Sequence, residues 1–292
     1  MNTLKLLKYK IIESDFMMVA KKNPLYVLCS IIYFILGLRV FGGTMIFFYI
    51  IFFLIAFSPL GEIIFRYIEK VRKIETKREK ELLNPIWEEV YNEAKRQYPQ
   101  LTNIKLCVID KMTVNALALG KHTIAISKGA IDTFSEDELK AILTHEIAHI
   151  YYFDSFAKMY ITLANGYFTL LLIIMKCFKF IVDIVQDLTE ASKGAKLFVR
   201  FIRFACEFII IMIMFLGQLT VAIGSRKSEY RADQFTYNLG LGEELINALY
   251  MLEKIQLSNN STVVERMLAS HPRVSSRIEK LEMLIESEES QL

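Results

Sequence analysis

The sequence predicts a multi-pass α-helical membrane protein that carries a mainly α soluble domain with a small β-sheet (α+β). Of its 292 residues, 53% are hydrophobic and 23% are charged, and the mean hydropathy is +0.33. Soluble domains of this length rarely have a positive mean hydropathy, so composition favours a membrane protein. The charged residues are segregated from the apolar runs, which indicates a separate soluble part.

Four apolar stretches predict the membrane spans, and they lie at 25–38, 41–61, 159–175 and 208–224. A helix needs about 20 residues to cross a bilayer, and the second stretch is the clearest candidate. The first is short unless Met17 to Ala20 extend its helix. The last two have about 17 uncharged residues each, at the lower limit for spanning, so packed core helices are an alternative interpretation.

Basic residues predict the orientation of the first two spans. They precede the first span and follow the second, whereas the turn between the spans holds only Arg39. The positive-inside rule therefore predicts that both ends of this hairpin are cytoplasmic. The flanking basic residues are Lys5, Lys8, Lys10, Lys21, Lys22, Arg66, Lys70, Arg72, Lys73, Lys77, Arg78 and Lys80. The net charge of +3 mostly reflects this bias, and no pattern indicates a nucleic-acid partner.

We expect five segments along the chain. They are an N-terminal transmembrane hairpin at 1–61, a cytosolic helical stalk or linker at 62–84, a first part of the soluble domain at 85–156, a transmembrane helical pair at 157–224, and a second part of the soluble domain at 225–292. The first part should hold an amphipathic helix and a small sheet. We expect the helix at 85–97 and the strands at 104–110, 114–119 and 123–127.

The sequence His-Glu-Ile-Ala-His, which begins at His145, predicts half of a catalytic zinc site. Residues four apart share one helical face, so the Nε2 atoms of His145 and His149 can bind one ion. Glu146 lies about 100° round the helix, where it can reach a water on that metal. Ser135 and Glu138 match a capping box, so the helix should begin just after Ser135. A helix that exposes these side chains by chance is the alternative, and the spacing disfavours it.

A catalytic zinc site has three protein ligands and one open position, so a further His, Glu or Asp is required. Glu229 and Asp233 share a helical face after the fourth apolar stretch, and we expect Glu229 to be the third ligand. Asp233 can accept a hydrogen bond from a ligating histidine. A solvated carboxylate pair is the alternative reading. Glu207 is another candidate ligand, but its place near Arg200 and Arg203 favours an interfacial ion pair.

Together these motifs resemble the HtpX-type membrane zinc metalloproteases, relatives of the CAAX prenyl proteases. The resemblance covers His-Glu-Ile-Ala-His followed by Asp154, then Ser-Arg-x-x-Glu-x-x-Ala-Asp from Ser225, and a closing His271-Pro272-Arg273 with Arg277, Ile278 and Leu281. It implies a gluzincin-like fold that binds one Zn²⁺ per chain. In this family Glu146 would be the catalytic base, and Asp154 and Asp233 would support the ligands.

Two further site residues follow from the resemblance. The run that contains Asn115 and Ala116 is similar to the family's substrate-binding edge strand, so both would hold the substrate backbone. His271 matches the family's C-terminal His-Pro, where it would either stabilise the transition-state oxyanion or cap the next helix. Both interpretations of His271 stay open from the sequence.

The sequence therefore predicts a zinc endopeptidase in the cell (inner) membrane with its active site facing the cytoplasm. Its expected partners are the lipid bilayer and unfolded or misassembled polypeptides, many of them membrane proteins. A prenyl-peptide protease is one alternative function. A non-proteolytic membrane protein with a structural zinc is another, although Glu146 has no use in a structural site. The four cysteines are scattered without CxxC spacing, which excludes a cysteine zinc site.

Overall fold

The computed structural model describes residues 14–163, 173–174, 176–177, 180–181, 193–257 and 273–290. These parts of the chain are mostly helical and carry a small mixed sheet. Residues 14–22 and 154–163 are also helical. In chain order, the other elements are α1 (Pro24–Phe41), α2 (Thr44–Ala56), α3 (Pro59–Ile68), β1 (Val71–Arg72), α4 (Lys77–Gln97), β2 (Lys105–Ile109), β3 (Ala116–Leu119), β4 (Thr123–Ser127), α5 (Lys128–Thr133), α6 (Glu136–Tyr151), α7 (Lys193–Asn238), α8 (Gly242–Leu257) and α9 (Val274–Glu289).

The N-terminal hairpin is broken at two prolines. The helix at Ser14–Lys22 meets α1 at an angle of 104°, and α2 meets α3 at 82°. A proline lacks an N–H and disfavours helical geometry at the residue before it, so the chain turns at Asn23 and at Ser58. Residues 17–20 therefore do not extend the first apolar helix, and the expectation that the second stretch is one continuous span is wrong.

These breaks determine which helices have the length to cross a membrane. Within the described parts of the chain, no single helix is both long enough and apolar enough to do so. Each of the two bent pairs meets that requirement by length and composition when its helices are taken together. The predicted third span lies partly outside the described residues, and the fourth lies within α7.

The segment expected to be a helical stalk instead leads into the sheet. The helix ends at Ile68, and Val71 and Arg72 pair antiparallel with Val108 and Ile109 of β2. The sheet has the order β1-β2-β4-β3, with β2 and β4 parallel and β3 and β4 antiparallel. The three predicted strands are confirmed to within two residues at each end, whereas β1 is too short to show a sequence pattern. In this sheet β3 is an edge strand.

Helix α4 begins at Lys77, eight residues before the predicted start at Pro85. Thr76 accepts a hydrogen bond from the N–H of Glu79, and the Glu79 carboxylate accepts from the N–H of Thr76. This capping box fixes the start of the helix, and Pro85 lies inside it. Leucine and isoleucine side chains of α4 pack with the sheet and α6 in the main core.

Helices α6 and α7 carry the candidate site. The apolar face of α6 is fully buried against α4, the sheet and Phe235 of α7, through Leu139, Leu143 and Ile147. Helix α9 packs against α8 through Ile278 and Leu281, and it also contacts α7. This packing holds the polar side chains of α6, α7 and α9 in one buried region.

Candidate active site

The predicted helix of the zinc motif is confirmed as α6. Ser135 accepts from the N–H of Glu138 at 3.3 Å, and the Glu138 carboxylate accepts from the N–H of Ser135 at 2.8 Å. Both histidines lie well inside this helix, with His145 6% and His149 5% exposed. Their rings are 4.8 Å apart and perpendicular, and their donor atoms lie within 4.8 Å of a Glu146 oxygen. The motif therefore forms one compact cluster with the composition of a metal site.

Glu229 of α7 completes this cluster. One of its carboxylate oxygens, Oε2, lies 3.2 Å from Nε2 of His145, and the other, Oε1, lies 3.4 Å from Nε2 of His149. Zn–N and Zn–O bonds of about 2.0–2.1 Å place neighbouring ligand atoms of a tetrahedron about 3.3 Å apart. The three side chains therefore fit the spacing that a tetrahedral zinc ion requires.

Each histidine also has a carboxylate on its other nitrogen. Nδ1 of His145 lies 3.1 Å from Oδ1 of Asp233, and Nδ1 of His149 lies 3.2 Å from Oδ2 of Asp154. Asp233 is 3% exposed and Asp154 is fully buried. A carboxylate in this position fixes the tautomer and orientation of a ligating ring, which leaves Nε2 free to bind a metal.

Cations balance this concentration of carboxylates. Arg277 of α9 makes two hydrogen bonds to Asp233, and its Nη1 lies 3.2 Å from Oε2 of Glu229. Arg231 of α7 donates to Oδ1 of Asp154. Burial raises the pKa of Asp233, but the charge and hydrogen bonds of Arg277, together with His145, outweigh burial and lower this pKa, which favours the ionised carboxylate.

The two imidazoles show how strongly the site favours positive charge. Burial lowers the pKa of His145, but the carboxylates of Asp233 and Glu229 outweigh burial and raise this pKa. Burial also lowers the pKa of His149, but Glu229 and Asp154 together raise it to about 9. The carboxylates that favour a positive charge on each ring also favour a divalent cation at Nε2, where it would displace the proton of that nitrogen and leave the Nδ1 proton on its carboxylate.

The fold and the site agree with a comparison against protein families, in which the model of Peptidase family M48 matches residues 77–285. The chain belongs to this family. It is therefore a metalloprotease, and M48 metallopeptidases are in general zinc-dependent. The resemblance to HtpX-type proteases is confirmed by the relatives of the chain.

Two relatives of the chain carry the name of HtpX proteases. Protease HtpX of Pseudomonas fluorescens is 28% identical over 226 residues, which cover 70% of this chain and 72% of the relative. The Protease HtpX homolog of Neisseria meningitidis is 25% identical over 298 residues, which cover 92% of this chain and 99% of the relative. Both relationships place this M48 chain among homologues of HtpX proteases.

The chain is also similar in fold to a solved structure, that of S. mikatae Ste24p. The TM-score is 0.51 and the identity is 22%, and the match covers 96% of this chain and 66% of that chain. This likeness shows that the mostly helical architecture with a small mixed sheet is shared.

The structure brings together six of the predicted site residues: His145, Glu146, His149, Asp154, Glu229 and Asp233. Glu207 is excluded as a third ligand, because it precedes Glu229 by 22 residues on α7, which is about 33 Å along the axis. His271 lies outside the described residues.

Asn115 and Ala116 stand at the edge strand, and β3 packs beside α6. The main chain of Asn115 is already engaged, since its N–H donates to Oγ of Ser127 and its carbonyl accepts from the N–H of Ser127. In an antiparallel pair, successive residues alternate between the partner strand and the opposite side. The main chains of Ala116 and Ala118 are therefore directed towards the open edge. The substrate-binding roles expected of Asn115 and Ala116 stay predictions.

Arg277 belongs to this site, although in the sequence it has no expected role beyond a match to the C-terminal motif of the family. It lies on a helical face with Val274, Ile278 and Leu281, all of which are buried. An arginine within an otherwise apolar helical face was the available signal, because a buried guanidinium requires a carboxylate partner.

Proposed function

We propose that this chain is a membrane-embedded zinc endopeptidase in which His145, His149 and Glu229 hold the metal. The observation that carries this proposal is the position of Glu229, whose two oxygens lie 3.2 and 3.4 Å from the Nε2 atoms of the two histidines. Glu146 adds the carboxylate that hydrolysis requires and that a structural site does not need.

Zinc held by His145, His149 and Glu229 would supply a Lewis acid for the scissile carbonyl and would lower the pKa of water at the site. Glu146 accepts the proton of the attacking water and then donates it to the leaving amine. Its side chain is only 9% exposed, so this transfer takes place largely shielded from bulk solvent. General acid–base catalysis of this kind contributes a factor of about 10²–10⁴ to the rate.

The substrate is held in an extended conformation along β3. The N–H and carbonyl groups of Ala116 and Ala118 pair with it as with an added strand. Main-chain pairing does not select particular side chains, and folded proteins rarely offer an unpaired strand. Unfolded and misassembled polypeptides are therefore the favoured substrate class.

The site acts at the cytoplasmic side of the cell (inner) membrane. Basic residues flank both ends of the apolar hairpin, and the two bent helix pairs have the length and composition of spans. A protease attached to the bilayer meets membrane proteins at high effective concentration, so these are its expected clients.

Replacing Glu146 with Gln tests the mechanism. Purified Glu146→Gln protein should retain about one zinc per chain, because Glu146 is not a ligand, and should lose peptide cleavage by at least about 10²-fold. Metal content and cleavage of an unfolded polypeptide are measured on the same sample. Wild-type cleavage by Glu146→Gln would refute the catalytic assignment, and zinc loss would show that Glu146 is a ligand.

A second experiment tests the substrate class. The protein in liposomes is given a folded membrane protein, a destabilised mutant of that protein, and a farnesylated peptide. We expect cleavage of the destabilised mutant and sparing of the folded form. Equal cleavage of both forms would refute the preference for unfolded clients, and strict dependence on the farnesyl group would instead assign a prenyl-peptide protease.

A further inference from the structure

The break in the N-terminal hairpin packs directly against the end of the zinc helix. The helical segment Ser14–Lys22 and α1 meet at Asn23, which is 7% exposed. The ammonium of Lys22 donates to the carbonyl of Tyr151 at 2.7 Å, and Nδ2 of Asn23 donates to the carbonyl of Tyr152 at 3.0 Å. The last carbonyls of a helix have no partners within the helix, so this elbow caps the C-terminus of α6.

Arg231 connects the same elbow to a carboxylate of the metal site. Its Nη1 donates to the carbonyl of Lys22 at 3.3 Å, and its Nη2 donates to Oδ1 of Asn23 at 3.3 Å. Nη2 also donates to Oδ1 of Asp154. The guanidinium carbon of Arg231 lies 4.3 Å above the ring of Tyr152, and this stacking fixes the plane of the guanidinium group.

Asp154 carries the connection to the metal ligand. Its Oδ1 accepts from Arg231 and its Oδ2 lies 3.2 Å from Nδ1 of His149. Because Asp154 is fully buried, its charge requires a cation, and its orientation determines that of the His149 ring. The contacts therefore run without a gap from Asn23 through Arg231 and Asp154 to His149.

The two ligand histidines are supported in the same way but from different parts of the chain. His145 has Asp233 and Arg277, which lie on α7 and α9. The corresponding arginine for His149 is Arg231, and it is held by residues of the N-terminal hairpin, 208 positions away in sequence. Within the described residues, the arginine that supports His149 is held by the hairpin, whereas the arginine that supports His145 lies on α9.

We propose that Asn23 and Arg231 are positioning residues for the zinc ligand His149, so that the N-terminal hairpin is a structural part of the metal site. This inference rests on the proposed function, because it takes His149 as a zinc ligand. Displacing the elbow removes the acceptors that hold Arg231, turns Asp154, and lowers the affinity for zinc without touching any ligand.

The experiment measures zinc affinity of the full-length protein in detergent by competition with a chelator, together with the visible absorption spectrum of its Co²⁺ form. Arg231→Gln should weaken zinc binding about 10–100-fold and alter the Co²⁺ spectrum. Asn23→Leu, which removes both side-chain contacts, should weaken it in the same direction. Asn23→Asp, which keeps the acceptor for Arg231, should recover most of the affinity.

Arg226→Gln is the matched control, since Arg226 is an exposed arginine on the same helix, and it should leave both measurements unchanged. The double variant Asn23→Leu/Arg231→Gln should lose little more than Arg231→Gln alone, because the two residues act in series. Additive losses, or wild-type affinity and spectrum in Arg231→Gln, would overturn the inference even if the thermal midpoint falls.

A further variant separates this result from a failure of the proposed function. His149→Ala should lose zinc outright, whatever the elbow does. If His149→Ala binds zinc normally, the ligand assignment is wrong. If it loses zinc while Arg231→Gln and Asn23→Leu do not, only the role of the elbow is wrong. Should Arg231→Gln fail to fold, Asn23→Leu and its Asn23→Asp partner carry the same test.

Discussion

Arg277 and Asp233 form a two-pronged ion pair beside His145, with Nε donating to Oδ2 at 2.8 Å and Nη2 donating to Oδ1 at 2.5 Å. The oxygen that accepts from Nη2 also lies 3.1 Å from Nδ1 of His145. Arg277 thereby stabilises the buried carboxylate of Asp233, and this carboxylate keeps its contact with the His145 ring. It joins the last described helix to the metal site, which the two zinc motifs alone do not reveal.

Removing the charge of Arg277 should destabilise the folded protein. In Arg277→Met the carboxylates of Asp233 and Glu229 stay buried without this cation, at a cost of about 3–5 kcal/mol. Added zinc should recover more of the thermal midpoint in the variant than in the wild type, because it restores positive charge. Thermal unfolding with zinc and with a chelator measures both effects. Arg273→Met, one turn earlier and exposed, is the control, and an equal loss there would contradict the prediction.

Glu229 and Asp233 should differ in their effect on zinc binding, although both are buried carboxylates on α7. Glu229→Ala removes a ligand and should nearly abolish zinc retention. Asp233→Ala removes only the support of His145 and should weaken zinc about 10–100-fold. Chelator competition on the two purified variants gives the comparison. Equal loss of zinc in both would mean that Asp233 binds the metal directly.

The sequence predicted the local part of this site well, because its signals are local. The capping box at Ser135 and the spacing of His145 and His149 lie within one helix, so periodicity alone places both rings on one face. Glu229 could be inferred because catalytic zinc requires a third ligand and few carboxylates were suitable. The strand at 123–127 was predicted at its observed bounds, since it is a run of apolar residues between turns.

The remaining features depend on contacts between distant parts of the chain. No local pattern connects Asn23 with Arg231, and the two residues of β1 carry no periodicity. The prolines that follow Asn23 and Ser58 indicate bends at these residues, but the apolar composition suggested continuous spans instead. Which peptide groups of β3 face outward depends on its register with β4, which a single strand does not reveal.

Stability in acid should depend on the ion pair between β1 and α4. The guanidinium of Arg72 donates to Glu79 at 2.6 Å and lowers the pKa of this carboxyl from 4.5 to about 2, although burial raises it. Because the folded pKa is depressed, this stabilisation is present above pH 4.5 and is lost as the pH falls through about 2. The thermal midpoint measured against pH should decline across that range.

Glu79→Gln has no carboxyl to titrate at this position, so its thermal midpoint should decline less than that of the wild type across this pH range. At neutral pH the variant should be less stable by about 1.5–3 kcal/mol, because the ion pair is missing. Glu88→Gln removes an exposed carboxylate from the same helix and should behave as the wild type. A full acid-dependent decline in Glu79→Gln would assign the effect to other carboxylates.

The proposed membrane orientation predicts the outcome of reporter fusions. Reporters placed after residues 80, 155 and 235 should all be cytoplasmic, because the proposed zinc ligands before and after the predicted transmembrane pair at 157–224 must meet at one site. A reporter after residue 190 should lie on the opposite side. If the fusion at 155 and the fusion at 235 report different sides, then His149 and Glu229 cannot bind one metal ion in the membrane-inserted protein.

The alternation of main-chain groups along β3 makes a prediction that concerns substrate binding alone. The pairing of Asn115 with Ser127 directs the N–H of Ala116 towards the open edge and that of Leu117 towards β4. A proline is tolerated where the missing N–H faces outward from an edge strand. Ala116→Pro should therefore keep zinc and the wild-type thermal midpoint. It should lower kcat/KM on an unfolded polypeptide about 3–10-fold, which is the rate effect expected when one hydrogen bond to the substrate is lost.

Leu117→Pro is the matched control. It removes a hydrogen bond within the sheet, so its thermal midpoint should fall. Unchanged cleavage by Ala116→Pro would show that substrates do not pair with this strand, and destabilisation equal to that of Leu117→Pro would show that the register is wrong.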